Sequence, residues 1–158
     1  RQGTKYAELA LAQVGISSKI GDGPADWQVI DVLKARNLSA LKGVSDEMNK
    51  AIVRSLTEGI NNGEGVVKLR NRLVTEVEGI GYDRARKMAH YETMYASNEG
   101  VKLRYTQHGI RRVQALAAGH ANTCEECAAL DGQIFDIDKA PTFPLHPFCR
   151  CTWLPVIE

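Results

Sequence analysis

The four cysteines of this 158-residue chain all lie in its last quarter, together with a histidine. Cys124 and Cys127 form a C-x2-C pair, and His146, Cys149 and Cys151 follow about twenty residues later. Thiolate sulfur and imidazole nitrogen are ligands that zinc prefers, usually four of them in a tetrahedron. Two such groups, each on a tight turn, can supply that tetrahedron. The spacing therefore predicts one zinc ion per chain.

Five candidates compete for four ligand places. We favour Cys124, Cys127, His146 and Cys149 as the four ligands. Cys151 is the rival to His146, because Cys149 and Cys151 share a face, and could both reach the metal, if a strand begins at Cys149. The alternatives are disulfide bonds and packing as small apolar side chains. Four protein ligands close a site, so such a zinc ion is structural and contributes folding energy.

Three helices are predicted ahead of the cysteines. Ser45 caps the first helix, which Asn61-Asn62-Gly63 ends, and a second runs from Glu64 to about Glu78 to form a hairpin with it. Asp83 caps a longer third helix to about Thr106. The apolar positions at helical spacing are Met48, Ile52, Val53, Leu56 and Ile60 in the first helix and Val67, Leu69, Leu73, Val74 and Val77 in the second. The predicted inward face of the third helix carries Met88, Ala89, Tyr95, Ala96 and Leu103, with the carboxylate of Glu92 among them.

The pattern then changes to short strands. Residues 110–118 alternate with period two, the Asp131-Gly132 turn precedes a second strand at 133–137, and residues 151–157 form a closing strand. The predicted fold class is α+β, with an N-terminal helical region, a small antiparallel β-sheet and a C-terminal zinc knuckle. We predict a helical N-terminal extension at 1–43, with helices at 4–14 and 26–36, and a domain at 44–158, helical over 45–107 and β with the knuckle over 110–158.

The overall charge points to no particular partner. Lysine and arginine number 20 against 19 acidic residues, so DNA contact requires a local patch. The candidates for that contact are Arg111, Arg112 and Arg150. Without an apolar stretch of membrane-spanning length or a signal-peptide core, we expect a soluble, unsecreted chain that contacts no membrane. Its first residue, Arg1, suggests a piece of a longer protein.

Two acidic residues are candidates for a catalytic role. Glu92 lies on the apolar face of the third helix, where a buried carboxylate more often pairs with an arginine, here Arg111 or Arg112. Asp131 is most economically a turn residue. A hydrolase or nuclease would need an open position on the metal and Glu92 beside His108 or His120. We therefore predict no enzyme activity.

Five motifs follow one another in the C-terminal part of the chain: Cys124-Glu125-Glu126-Cys127, Leu130-Asp131-Gly132, an apolar strand, a proline-rich loop and His146-Pro147-Phe148-Cys149-Arg150-Cys151. Their order resembles that of the C-terminal motifs of the phage Mu F-like head morphogenesis family. Upstream, Glu92 with Ala96, Asn98 and Gly100 is similar to the family's helix, although His90 and Tyr91 replace an arginine and a threonine. The resemblance runs from about residue 40 to the end.

This resemblance implies a phage or prophage minor head protein present in few copies. Such a protein associates with portal and capsid proteins, acts in head assembly, DNA packaging or DNA delivery, and is found in the virion and, during assembly, in the host cytoplasm. The resemblance implies no cofactor chemistry. Double-stranded DNA is a further candidate partner. The alternative function is a zinc-containing DNA-binding module, and a DNA affinity that falls steeply with added salt would support that alternative.

Overall fold

The structure, a computed structural model, describes residues 43–117, 119 and 123–157, together with Leu9 and Asp31. Helices lead and a small sheet follows, which confirms the predicted α+β class. The predicted helices at 4–14 and 26–36 lie outside the described residues, apart from Leu9 and Asp31. The elements in chain order are α1 (Asp46–Asn61), α2 (Val66–Glu76), α3 (Tyr82–Gln107), β1 (Arg112–Leu116), α4 (Glu125–Leu130), β2 (Ile134–Asp136) and β3 (Thr152–Val156).

Helix α1 begins where the sequence predicts. The Ser45 hydroxyl accepts a hydrogen bond from the Met48 backbone N–H at 3.2 Å, which satisfies one of the N–H groups that a helix start leaves unpaired. The carboxylates of Asp46 and Glu47 in the first turn interact favourably with the positive end of the helix dipole. The predicted cap at Asp83 is wrong, because α3 begins after Gly81, whose positive φ of 71° sets the entry of the chain.

The first two helices pack as a hairpin through a close contact at Gly59. This buried glycine lies late in α1, facing Leu69 of α2. A Cβ atom at Gly59 would overlap the Leu69 Cδ2 methyl group. The absence of a side chain therefore permits the close approach of the two helices, which share a core formed by Ile52, Leu56, Leu69, Leu73, Met88 and Ala89.

Gly59→Ala is expected to destabilise the chain, because the new methyl group forces Leu69 to move in a packed core at a cost of about 1–3 kcal/mol. Alanine returns about 1 kcal/mol in a helix interior, so the net loss of stability is up to about 2 kcal/mol. Denaturant unfolding followed by circular dichroism measures the change. Gly65→Ala is the control, since the space around that residue is open, and it should change stability by less than about 1 kcal/mol. A stabilised Gly59→Ala variant would contradict the contact.

Arg72 joins the helices from the outside. Its guanidinium donates two hydrogen bonds to the Glu64 carboxylate, from Nε at 3.1 Å and from Nη2 at 2.7 Å. Its Nη1 donates to Glu76 at 2.6 Å and lies 3.4 Å from a Glu58 oxygen at the end of α1. The hydrogen bonds from Arg72 hold the pKa of Glu64 below its ordinary value. One side chain thus links α1, the loop and α2.

Arg72→Met should remove a pH-dependent part of the stability. The folded-state pKa of Glu64 is depressed, so its contribution is present above the unfolded pKa and is lost as pH falls through the folded value. The stability difference between wild type and Arg72→Met should therefore be largest near neutral pH and shrink below about pH 4. Urea unfolding at several pH values measures it. Lys50→Met is the control for loss of a positive charge, because Lys50 is exposed on α1 and no carboxylate within the described chain is paired with it. An unchanging difference down to pH 3 would contradict the expected role of Glu64.

Helix α3 belongs to two cores. Its first half packs Ala85, Met88 and Ala89 against α1 and α2. Its second half places Val101 and Tyr105 against the sheet. The predicted inward positions Met88, Ala89, Glu92 and Ala96 are buried, whereas Tyr95 and Leu103 are only partly buried. This long helix is the element that fixes the sheet relative to the hairpin.

The sheet has the order β2-β1-β3, and both pairings are antiparallel. Val113 and Ala115 of β1 point inward, as the alternation predicts, and Leu116 is exposed. Trp153 of β3 pairs with Ala115 across the ladder and stacks on Phe143 with ring centroids 4.4 Å apart. Phe135 of β2 meets Trp153 edge to face at 5.8 Å. We call Phe135, Phe143 and Trp153 the aromatic floor and residues 146–151 the cysteine segment. The cysteine segment packs against the aromatic floor.

Candidate metal centre

Helix α4, which the sequence pattern did not predict, carries the C-x2-C pair. Cys124 is its N-cap residue, and the Cys124 sulfur accepts a hydrogen bond from the Cys127 backbone N–H at 3.4 Å. Cysteine replaces the usual serine or aspartate at this position, which is why the helix start is missed by capping rules. The cap holds both sulfur atoms on the same side of the first turn.

The second pair of donors lies on a turn that runs from His146 to Cys149. The Cys149 backbone N–H donates to the His146 carbonyl at 3.1 Å and closes the turn. The turn brings His146 Nε2 to 3.2 Å from the Cys124 sulfur and 3.3 Å from the Cys127 sulfur. The Cys149 sulfur is 3.7 Å from that of Cys127. The two ligand pairs predicted from the sequence are therefore brought together.

The hydrogen bonds of His146 define its tautomer. Nδ1 lies 2.9 Å from the Pro147 carbonyl oxygen, which can only accept, so Nδ1 carries the proton in the neutral ring. The lone pair of Nε2 then faces the two sulfur atoms. A metal-binding histidine typically donates its other ring N–H to a backbone carbonyl in this way. The imidazole of His146 is thus oriented as a metal ligand.

The five candidate donors form two overlapping groups. Cys124, Cys127 and His146 have ligand atoms within 4.8 Å of one another, and so do Cys127, Cys149 and Cys151. Cys127 belongs to both groups. Cys127, Cys149 and Cys151 are buried, while Cys124 and His146 are half-buried, and all four cysteines are free thiols. Cys127 therefore lies at the centre of the cluster.

Three separations among the donor atoms suit a tetrahedral metal. With zinc–sulfur bonds of about 2.3 Å and zinc–nitrogen bonds of about 2.0 Å, tetrahedral ligands lie roughly 3.8 Å apart for two sulfurs and about 3.5 Å apart for sulfur and nitrogen. The observed 3.7 Å between Cys127 and Cys149 and the 3.2 and 3.3 Å to His146 are close to these values. Soft thiolates with one imidazole are the donor set that zinc takes in structural sites. The residues present fit a zinc ion.

The thiol pKa values differ across the cluster. The hydrogen bond from the Cys127 backbone lowers the pKa of Cys124. Burial raises the pKa of Cys149, but hydrogen bonds from the Cys151 and Leu145 backbones outweigh it and leave that pKa lowered. Burial raises the pKa of Cys127. Two thiols are therefore set up for the thiolate form, whereas a cation is what would stabilise a thiolate at Cys127.

Two side chains of α3 hold the cysteine-bearing segment in place. The Asn98 amide donates to the Cys151 carbonyl at 3.1 Å, and the Tyr105 hydroxyl donates to the Trp153 carbonyl at 3.2 Å. Both side chains are buried, and burial raises the pKa of Tyr105, which keeps the hydroxyl protonated as a donor. Neither residue is among the site residues predicted from the sequence. In the sequence they can be recognised only as polar groups on the buried face of a helix.

The predicted DNA-contact residues do not form one patch. Arg112 begins β1 and pairs with Val156, whereas Leu116 at the other end of the strand pairs with Thr152, two residues after Arg150. Four strand steps, about 13 Å, separate these pairings. Arg150 instead lies close enough to His90 of α3 that its charge lowers the histidine pKa, after the larger effect of burial.

Glu92 and Asp131 occupy different kinds of environment. Glu92 is buried in the middle of α3. Asp131 ends α4 in a turn with Gly132, whose φ is 78°, and its carboxylate accepts a hydrogen bond from the Ala117 backbone at 2.8 Å. That bond ties the end of β1 to the turn. His120, considered as a partner of Glu92, lies outside the described residues.

The fold and the site together define a small α+β domain whose sheet is closed by a cysteine and histidine cluster with metal-ligand geometry. Residues 50–154, about two thirds of the chain, match the family described as "Phage Mu protein F like protein". The chain therefore belongs to the phage Mu F-like family and is a phage head-related protein. Neither a curated protein nor a solved structure matches it. In the described part of the chain, no helix has the length and apolar character needed to cross a membrane.

Proposed function

We propose that this chain is a minor head protein of a phage or prophage, associated with portal and capsid proteins and acting in head assembly, DNA packaging or DNA delivery. The observation that carries the proposal is the family match over residues 50–154, which includes the helical hairpin except its first turn and the complete cysteine cluster. The protein acts as part of the virion, after assembly in the host cytoplasm. Its role is structural, and its metal centre is not catalytic.

A single zinc ion held by Cys124, Cys127, His146 and Cys149 is the second part of the proposal. The support is the orientation of His146, whose Nε2 faces the Cys124 and Cys127 sulfurs while Nδ1 is bound to a carbonyl. Four protein donors leave no position for a reactive water, so the ion stabilises the fold. It would connect α4 to the turn that runs from His146 to Cys149.

Substitution at the two rival ligands tests this ligand set. His146→Ala should lose the zinc found by elemental analysis of protein purified without added metal, whereas Cys151→Ser should retain about one ion per chain. His108→Ala is the control for loss of a histidine, since His108 caps the end of α3 far along the chain from the cluster. Loss of metal in Cys151→Ser with retention in His146→Ala would overturn the set in favour of the four cysteines. A metal-free wild type would overturn the zinc centre.

The outer side of α2 is the surface that we propose for portal or capsid contact. Val67 and Val74 are 61% and 45% exposed and lie seven residues apart, on one helix face. Between them Arg70 donates to the Tyr82 hydroxyl at 2.8 Å and lies over the Tyr82 ring at 4.9 Å. Exposed apolar side chains with arginine and tyrosine are the composition of protein interfaces. We call Val67, Arg70, Val74 and Tyr82 the α2 surface.

Coexpression with the portal and major capsid proteins of the same phage tests the association. The chain should elute with the portal assembly in size-exclusion chromatography, and Val67→Asp/Val74→Asp should elute alone while keeping its metal and melting temperature. Lys68→Asp is the matched control, because it changes the net charge by the same amount beside the α2 surface and should still bind. Failure of the wild type to bind either protein would overturn the proposed function. Equal binding by the double variant would exclude the α2 surface.

A further inference from the structure

A basic and aromatic cluster lies where the cysteine segment meets α3. Arg86 and His90 are one helical turn apart on α3, and Phe148 and Arg150 flank Cys149. The Arg86 guanidinium lies 4.9 Å from the centroid of the Phe148 ring, and the His90 ring meets the same ring edge to face at 5.4 Å. We call Arg86, His90, Phe148 and Arg150 the arginine–phenylalanine cluster. It joins two parts of the chain that lie far apart in sequence.

The backbone of Phe148 is in an unusual conformation. Its φ of 66° is the only positive value at a non-glycine residue in the described chain. Pro147 and Phe148 are the central residues of the turn that the Cys149-to-His146 hydrogen bond closes, and glycine is the usual residue at the second of these positions. The phenylalanine ring nevertheless stays 39% exposed instead of entering the core. A strained backbone that presents a partly exposed ring points to a role for the ring in binding.

The charges of the cluster are not neutralised within the described chain. Arg86 and Arg150 are exposed, and no carboxylate among the described residues is paired with either guanidinium. Burial first, and then Arg150 and Arg86, lower the pKa of the half-buried His90, whose Nδ1 has no hydrogen-bond partner among these residues. A positive potential therefore concentrates at this point of a chain whose net charge is only +1.

We propose that the arginine–phenylalanine cluster binds the phosphodiester backbone of double-stranded DNA. The two guanidinium groups contact phosphate oxygens, to which arginine binds in bidentate geometry, and the exposed part of the Phe148 ring packs on the adjacent sugar. Such contacts carry no sequence information, as is appropriate for DNA that passes a head protein regardless of its sequence. The inference rests on the proposed role in DNA packaging or delivery.

The metal centre would control the assembly of this DNA site. Cys149 lies directly between Phe148 and Arg150, so a metal ion bound there fixes both side chains relative to Arg86 and His90. DNA affinity should therefore fall when a chelator removes the metal. This coupling distinguishes the cluster from a diffuse basic surface, which would keep its charge after metal removal.

Fluorescence anisotropy with a labelled DNA duplex, measured over a range of salt concentrations, tests the proposal. Arg86→Ala and Arg150→Ala should each weaken binding several-fold for every duplex sequence, and each should reduce the slope of log Kd against log salt by about 1. Phe148→Gly should also weaken binding while keeping the metal and the melting temperature, since glycine accepts the positive φ. Arg54→Ala, which removes an exposed arginine of α1, is the matched control and should bind as the wild type does.

The outcomes separate this site from its alternatives. Unchanged DNA affinity in both Arg86→Ala and Arg150→Ala, or a loss in Arg54→Ala alone, would overturn the proposal. Tighter binding of polyglutamate than of DNA, abolished by the same two substitutions, would assign the cluster to an acidic protein partner and overturn the DNA assignment. Binding to portal or capsid protein is scored in the separate coexpression experiment, so its failure leaves the DNA result readable.

Discussion

Cys127→Ser is expected to remove the bound metal and to destabilise the C-terminal half of the chain by on the order of 5 kcal/mol. Cys127 has donor atoms of Cys124, His146, Cys149 and Cys151 within 4.8 Å, so every ligand set that the structure allows includes it. Its sulfur is buried, and a serine hydroxyl there neither binds zinc comparably nor finds an equivalent partner. Metal analysis and thermal unfolding of purified protein measure both effects.

The control for this substitution is Ala128→Ser. Ala128 is the next residue of α4 and is exposed, so the variant introduces the same hydroxyl into the same short helix without touching a ligand. It should keep about one metal ion and lose less than about 1 kcal/mol. A chelator added to wild type should reproduce the Cys127→Ser melting curve. A Cys127→Ser protein that retains its metal and its wild-type stability would contradict the proposed centre.

Trp153→Ala is expected to cost about 3–5 kcal/mol, the range for a large aromatic side chain removed from a packed core. Trp153 is 2% exposed, stacks on Phe143 and meets Phe135 edge to face. Its removal leaves a cavity between β3, the loop that carries Phe143 and β2. The cysteine segment packs against the aromatic floor, so metal affinity should fall together with stability. Denaturant unfolding and competition with a chelating dye measure the two quantities.

Leu154→Ala is the matched control for the tryptophan. Leu154 is the next residue of β3, points to the opposite face of the sheet and is only half-buried. Its removal should cost roughly 1 kcal/mol and leave metal affinity unchanged. A cost below about 1 kcal/mol for Trp153→Ala would show that the sheet is not stabilised through this residue. If Trp153→Ala kept the wild-type metal affinity, the aromatic floor would not support the metal centre.

Local chemistry explains which features were predictable from the sequence. The donor pairs follow from the C-x2-C spacing and the clustered histidine and cysteines, because two donors a few residues apart on a turn can bind the same ion. The three helices and β1 follow from apolar periodicities of 3.6 and two, and the Ser45 cap follows from a hydroxyl beside a free backbone N–H. Each of these rules acts within a few residues, so neighbouring residues suffice to apply it.

Contacts between distant residues account for what the sequence pattern missed. Capping rules do not predict helix α4, because a cysteine sulfur caps it. The start of α3 depends on the positive φ of Gly81 and not on a cap at Asp83. Asn98 and Tyr105 reach carbonyls of Cys151 and Trp153 that are 53 and 48 residues away. Arg86 and His90 both contact the Phe148 ring, because α3 packs along the cysteine segment. Periodicity tells which side of a helix is buried, but only the packed chain determines which residues that side meets.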